Sequence, residues 1–436
     1  MNKRRAILWF RHDLRWHDNE AIQAVSRNTD EIIPVYIFDE RLFFGWQRGP
    51  YPRIFRTRLQ FIIESIRDLR QNLRNRGSEL YIRIGKTEDI LFNLADRYGS
   101  AGVFCNRERM PWEVRTQDAL ELKLWSIGQE LYYFRGKMLF HTADLPFPIA
   151  RMPDLFSTFR KEMDQIVSVR QPIDMSEVEL PLPDTDLDPG DIPGLGDFGY
   201  DTEYENPVFH GGETAGMAWT EKKLAEVAEG YSGPLMISPW LSNGNISSKW
   251  VYHKINGLPD SAEEIKNNLR RNLILRDYYR LIGKRSPEAL FREGGFRDDS
   301  SEVGTWDDSA VLSWMRGETG EEIVDAAMHC LFFTGYIDHQ KRKAVAQYLL
   351  EEMGLHWQLG AGYFESVSLD YDPCSNYGNW QRQAGISPDL KSRHSVNLET
   401  LADQVDATGE FRDRWAQKEL DFDFAYRKQN NSLQVT

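Results

Sequence analysis

Residues 314–385 read WMRGETGEEIVDAAMHCLFFTGYIDHQKRKAVAQYLLEEMGLHWQLGAGYFESVSLDYDPCSNYGNWQRQAG. Thr319 followed by Glu322 spells a capping box, which predicts a helix with Ile323, Val324, Ala327, Met328 and Leu331 on its apolar face and Thr334 and Gly335 at its end. A second helix is expected from about Asp338 to Met353, burying Val345, Tyr348 and Leu349 and carrying Lys341, Arg342 and Lys343. Trp357 follows, and then a segment of turn formers with Asp370 and Asp372 two apart, ending at Trp380. It reads as a polar loop holding more carboxylate and amide groups than a solvated turn needs, and such loops usually hold something. On residue types alone, Arg342, Asp370, Asp372 and Asn376 also read as a structural ion pair and a turn. Carboxylates and amides beside indoles, with no metal-ligand cluster and no activated nucleophile, suit a redox-active aromatic cofactor better than hydrolysis.

Upstream the pattern is different. Ala6–Phe10, EIIPVYIFDE, LYIRIGK and AGVFCNRE are short apolar runs alternating with helical patterns such as that bearing Leu59, Ile62, Ile63, Ile66 and Leu69. This alternation predicts a parallel α/β domain over 1–140. Residues 141–217 are acidic and rich in Pro and Gly, as expected of a connector that wraps the surface or moves. Residues 218–420 read as an all-helical domain and 421–436 as a short polar tail. With 436 residues the chain has room for two cores. Its net charge of −14 excludes a surface uniformly tuned to nucleic acid, so any DNA contact needs a local basic patch. Three dispersed cysteines, Cys105, Cys330 and Cys374, are too few for a four-cysteine iron–sulfur cluster and read as reduced thiols of a cytoplasmic protein. No run reaches membrane-spanning length.

Five blocks in chain order resemble the cryptochrome/photolyase family, and LDYDPCSNYGNW is especially similar to its DASH branch: WFRHDLRWHDNEA (Trp9–Ala21), ISPWLSNGNIS (Ile237–Ser247), LRDYYR (Leu275–Arg280), WMRGETGEEIVDAAM and LDYDPCSNYGNWQ. The resemblance implies an N-terminal Rossmann-like α/β antenna domain and a C-terminal helical domain that binds FAD. It implies cofactor contacts from Ile237, Ser238, Leu241, Arg342, Asp370, Tyr371, Asp372 and Asn376, with Asn376 near the reactive edge of the flavin. Pro234 and Leu235 stand where small hydroxyl residues precede the block in the family. Trp380, Trp357 and Trp306 match a chain of indoles that relays electrons from the surface to the flavin.

The same resemblance places a lesion pocket at Asn272, Leu275, Arg276 and Arg382, where repairing members carry a Glu and a Trp in place of Asn272 and Leu275. His339 reads either as a partly buried, hydrogen-bonded imidazole or as a proton donor to a bound lesion; a second histidine is replaced by Lys343. Arg270, Arg271, Arg276, Lys341, Lys343, Arg382 and Lys391 are expected to gather at the pocket mouth and to meet phosphates. Glu113, in NRERMPWEVR, is the expected contact of a folate-type antenna. Two activities follow as expectations: light-driven repair of pyrimidine dimers in single-stranded or damaged DNA, or a non-repair photoreceptor signalling to a partner through FAD photoreduction. A monomer without membrane attachment is expected in either case.

Overall fold

The computed structural model describes residues 3–46, 48–200, 204–299, 303–389, 400, 402 and 405–416. Lys391 and the expected tail 421–436 lie outside the described residues. The apolar runs form β1 (Arg5–Phe10), β2 (Glu31–Asp39), β3 (Tyr81–Gly85), β4 (Val103–Asn106) and β5 (Leu131–Phe134). They make one parallel sheet in the order β3-β2-β1-β4-β5, with Ile7 opposite Ile33 and Val103. Between them run α1 (Glu20–Asn28), α2 (Arg56–Arg74), α3 (Thr87–Arg97) and α4 (Pro111–Trp125). Because helices cover both faces, β1 and β2 are apolar almost without alternation. The predicted face of α2 is buried throughout. Strand order reverses between β1 and β4, which opens a crevice beyond their carboxyl ends.

The connector does wrap the surface. Ile32 donates its N–H to Pro181 and Ile82 donates to Pro189, both at 2.8 Å, so this segment covers the edge strand β3 and the start of β2 that β3 does not reach. Leu180, Leu195 and Phe198 sink into the core of the sheet. It also contains a helix, α5 (Phe156–Ile166), which the Pro and Gly count concealed.

The helical half includes α6 (Glu213–Ala228), α7 (Ser238–Asn243), α8 (Ser248–Asn256), α9 (Glu263–Arg285), α10 (Asp308–Met315), α11 (Glu322–Thr334), α12 (His339–Gln347), α13 (Trp357–Val367) and α14 (Pro373–Gln383), with shorter helices at Pro287–Phe291 and Glu410–Trp415. All five predicted apolar positions of α11 are fully buried, but its capping box does not form. Thr319 donates instead to Asp325, and Glu321 takes the cap position. The second predicted helix begins after its Asp338 cap and widens into a π-turn at Tyr348–Glu352. The segment read as a polar loop is corrected further: from Pro373 it is the helix α14, capped by the Asp372 carboxylate on the Ser375 N–H. The two halves meet closely at Gly244, whose φ is +71°, and a Cβ there would lie 2.1 Å from the His12 carbonyl oxygen. Among the described residues no helix is long and apolar enough to cross a membrane.

Candidate functional site

A cavity of about 390 Å³ opens between α7, α9, α12 and the start of α14. All eight residues expected to contact a cofactor line it: Ile237, Ser238, Leu241, Arg342, Asp370, Tyr371, Asp372 and Asn376. Met236, with φ +53°, turns the chain at its rim immediately before α7. Arg342 donates to both Asp370 oxygens at 2.9 Å and to the Ile337 carbonyl, while Ser238 donates to Asp370 at 2.8 Å. Burial opposes the charge on Arg342, yet Asp370 and the Tyr336 hydroxyl hold its pKa above the ordinary value. Asp372 is paired with Arg280. Burial alone would raise its pKa, but Arg280 and Arg276 hold it well below the usual carboxylate range. Asn376 is fixed by donating to the Ala361 carbonyl at 2.9 Å, which leaves one amide N–H and its Oδ1 for a ligand.

These residues fit a flavin. Apolar walls with a few convergent polar groups are what a small-molecule site requires, and the cavity volume is of that class. The Ser368 hydroxyl, on the same wall, is buried without a hydrogen-bond partner. Pro234 and Leu235 do border the cavity, so the serine hydroxyls among its lining residues are those of Ser238, Ser242, Ser368 and Ser375.

Trp380 is the indole that faces this cavity. Its ring rests on Gly360, where a Cβ would come within 2.1 Å of the indole Cη2. Trp357 lies one turn before Gly360 on α13, fully buried, with its Nε1 donating to the Glu293 carbonyl at 2.8 Å. Trp306 is joined to it through the His356 ring, whose centroid is 4.6 Å from Trp306 and 6.2 Å from Trp357. The Arg48 guanidinium lies over the Trp306 ring at 3.8 Å. Sequence reading missed His356, Arg48 and Trp314, whose edge meets Trp380 at 6.3 Å. It also missed Arg280, although the position four residues before it, Arg276, was legible.

The expected lesion residues divide. Asn272 and Arg276 line the cavity together with His339 and Lys343, whereas Leu275 and Arg382 border a separate cleft with Tyr278 and Tyr279. Leu275 follows Asn272 by three residues but turns about 100° from Arg276, enough to leave the cavity wall. Arg276 donates to the carbonyls of Lys137 and Leu241, and burial with Arg280 nearby lowers its pKa to about 10. Burial, then Arg342 and Lys343, lowers the pKa of His339 to about 4, so it is a neutral imidazole at neutral pH. The basic residues do not converge as expected: Arg270 is engaged by Glu263, Lys341 by Asp338, and Arg271 lies over Phe156.

Glu113 lines a second cavity, of about 80 Å³, in the crevice between β1 and β4. Its carboxylate accepts the N–H groups of Arg109 and Met110 at 3.2 and 3.0 Å. Burial and the neighbouring Glu108 raise its pKa, while Lys137 pairs with Glu108 at 2.5 Å. Ser242, Tyr371 and Asp372 line both cavities and so form the partition between them.

This architecture defines a class: a Rossmann-like α/β domain joined to a helical domain whose indole-walled cavity suits an aromatic redox cofactor. The family model described as DNA photolyase matches residues 6–180, and the FAD-binding domain of DNA photolyase matches residues 269–434. The chain is 35% identical to a chloroplastic/mitochondrial cryptochrome DASH of Arabidopsis thaliana, covering 94% of this chain and 75% of that one. It is 31% identical to cryptochrome DASH of Xenopus laevis, covering 94% and 82%. The crystal structure of the Synechocystis cryptochrome superposes with a TM-score of 0.86 at 29% identity, covering 94% of this chain and 88% of that one. A class III photolyase of Agrobacterium tumefaciens shares the fold, with a TM-score of 0.81 at 24% identity, covering 95% of this chain and 87% of that one. The chain belongs to the cryptochrome/photolyase family, and DASH cryptochromes are relatives that it matches over nearly its whole length. It is an FAD-binding blue-light flavoprotein.

Proposed function

We propose that this protein moves single electrons under blue light along Trp380, Trp357 and Trp306, with the cofactor held by Arg342, Asp370, Asp372, Asn376 and Ser238. When bound, FAD supplies blue-light absorption and one-electron redox chemistry. The Arg342–Asp370 pair fixes the polar rim, and the tethered Asn376 amide offers a preset hydrogen bond. Trp380 carries charge away from the cavity, and Trp357 restores it from one helical turn behind. The observation that carries the reading is Trp380 itself, on the cavity wall and seated on Gly360.

Of the two activities, signalling or redox chemistry without repair is favoured. Asn272 offers no carboxyl, Leu275 faces another cleft, and His339 is not a stored acid at neutral pH. A folate-type antenna beside Glu113 completes the proposal; it predicts a pterin released on denaturation. The test of the core reading is photoreduction of the holoprotein under blue light, followed in Trp380→Phe. The variant should be slowed at least tenfold, and unchanged kinetics would remove the electron chain. Dimer-bearing single-stranded and duplex DNA assayed with the reduced protein separates the two activities, since light-dependent loss of dimers would favour repair.

A further inference from the structure

Trp357 has a neighbour that the electron relay does not use. The Tyr377 ring meets it edge-on, with centroids 6.0 Å apart and planes at 84°. The Tyr377 hydroxyl donates to Glu365 Oε2 at 3.2 Å, within a buried pair. Glu365 is held in turn by Arg53, at 3.1 Å on its other oxygen. A phenol is hard to oxidise unless its proton leaves together with the electron, because the cationic form is a very strong acid. A buried phenol therefore needs a base in contact.

Two other phenols are linked by ring contacts to Trp380, and neither has that base. Trp314, which touches Trp380, meets Tyr363 at 5.7 Å, and Tyr363 meets Tyr51 at 5.9 Å. The Tyr363 hydroxyl has no partner, and that of Tyr51 donates to the Leu359 carbonyl, which cannot take a proton. The outward route is also opposed: the Arg48 cation 3.8 Å from Trp306 works against a positive charge on that indole.

We propose that Tyr377, with Glu365 as its base, is a proton-coupled electron donor that branches from Trp357 and holds the oxidising equivalent inside the protein. The step rests on the electron-relay reading above. One electron passes from the Tyr377 phenol to the oxidised indole of Trp357, while the phenolic proton passes to Glu365 Oε2. Trp357 returns to its closed-shell state, Tyr377 becomes a neutral phenoxyl radical, and Glu365 becomes a neutral acid. Arg53, no longer balanced by the carboxylate, favours return of that proton, so the store is reversible.

The experiment is time-resolved absorption and electron paramagnetic resonance on the purified holoprotein, with the indoles oxidised in two ways: by a blue flash through the flavin, and by direct ultraviolet photoionisation. The expected result is a phenoxyl signal growing as the indolyl signal decays, more slowly in heavy water. It should be lost in Tyr377→Phe and strongly slowed in Glu365→Gln. Tyr377→Phe keeps the ring against Phe291 and Trp357 and removes only the hydroxyl, so the fold is retained. The same phenoxyl growth in Tyr377→Phe, or growth at the wild-type rate in Glu365→Gln, overturns the proposal. If ultraviolet light produces the phenoxyl component and the blue flash oxidises no indole, the relay reading fails and the branch stands.

Discussion

Gly360 decides where Trp380 can lie. The indole occupies the space that any side chain at 360 would need, so Gly360→Ala sets a methyl against the ring and forces the ring to shift. A clash of this kind in a packed core costs typically about 1–3 kcal/mol. Urea unfolding should show a loss of that order in Gly360→Ala, with slowed photoreduction as Trp380 is displaced; an unchanged midpoint would mean the indole moves freely. The glycine stood in the sequence without advertising its role, because close approach is a property of two helices rather than of one residue. Arg342, Asp370 and Asn376 were legible for the opposite reason, since charge and amide groups crowded into a short stretch need partners wherever the chain goes. His356 and Arg48 were not legible: a ring stack between distant segments has no spacing in sequence to betray it.

At the scale of the element, α14 changes how the Asp370–Trp380 segment is understood. Turn formers suggested a loop, yet Asp372 followed by Pro373 is also a cap followed by a first-turn proline, and the helix reading prevails because Cys374, Tyr377 and Trp380 have a face to bury. Asp372 serves both as that cap and as the counter-charge of buried Arg280. Asp372→Ala removes both functions and leaves a buried guanidinium unpaired, a loss of about 3–5 kcal/mol. Asp372→Asn keeps a cap acceptor and should lose measurably less by urea unfolding; equal losses would mean the charge, not the cap, carries the stability. Amphipathic period was enough to find α2 and α11, whose buried faces match expectation residue by residue. It could not orient Leu275, because phase along α9 depends on which neighbour the helix packs against.

Over the whole molecule, the α/β-then-helical order was readable from the switch in hydrophobic period, and the connector from its composition. Its grip on the sheet was not, since backbone hydrogen bonds such as Ile82 to Pro189 leave no trace in side-chain chemistry. Acid sensitivity also belongs to this scale. Burial lowers the pKa of His356 to about 4, as it does for His339, against an ordinary value of 6.5. The folded chain therefore binds fewer protons than the unfolded one between those values, so stability is complete above pH 6.5 and falls as pH drops towards 4. The urea midpoint measured from pH 7 to pH 4.5 should decline, and His356→Asn should flatten the slope; an unaltered slope would place the sensitivity elsewhere.

The partition of Ser242, Tyr371 and Asp372 gives the two hollows a common wall one residue thick. A substitution at one of these three that enlarges one room also reshapes the other. Variation at these three positions therefore alters both chambers at once.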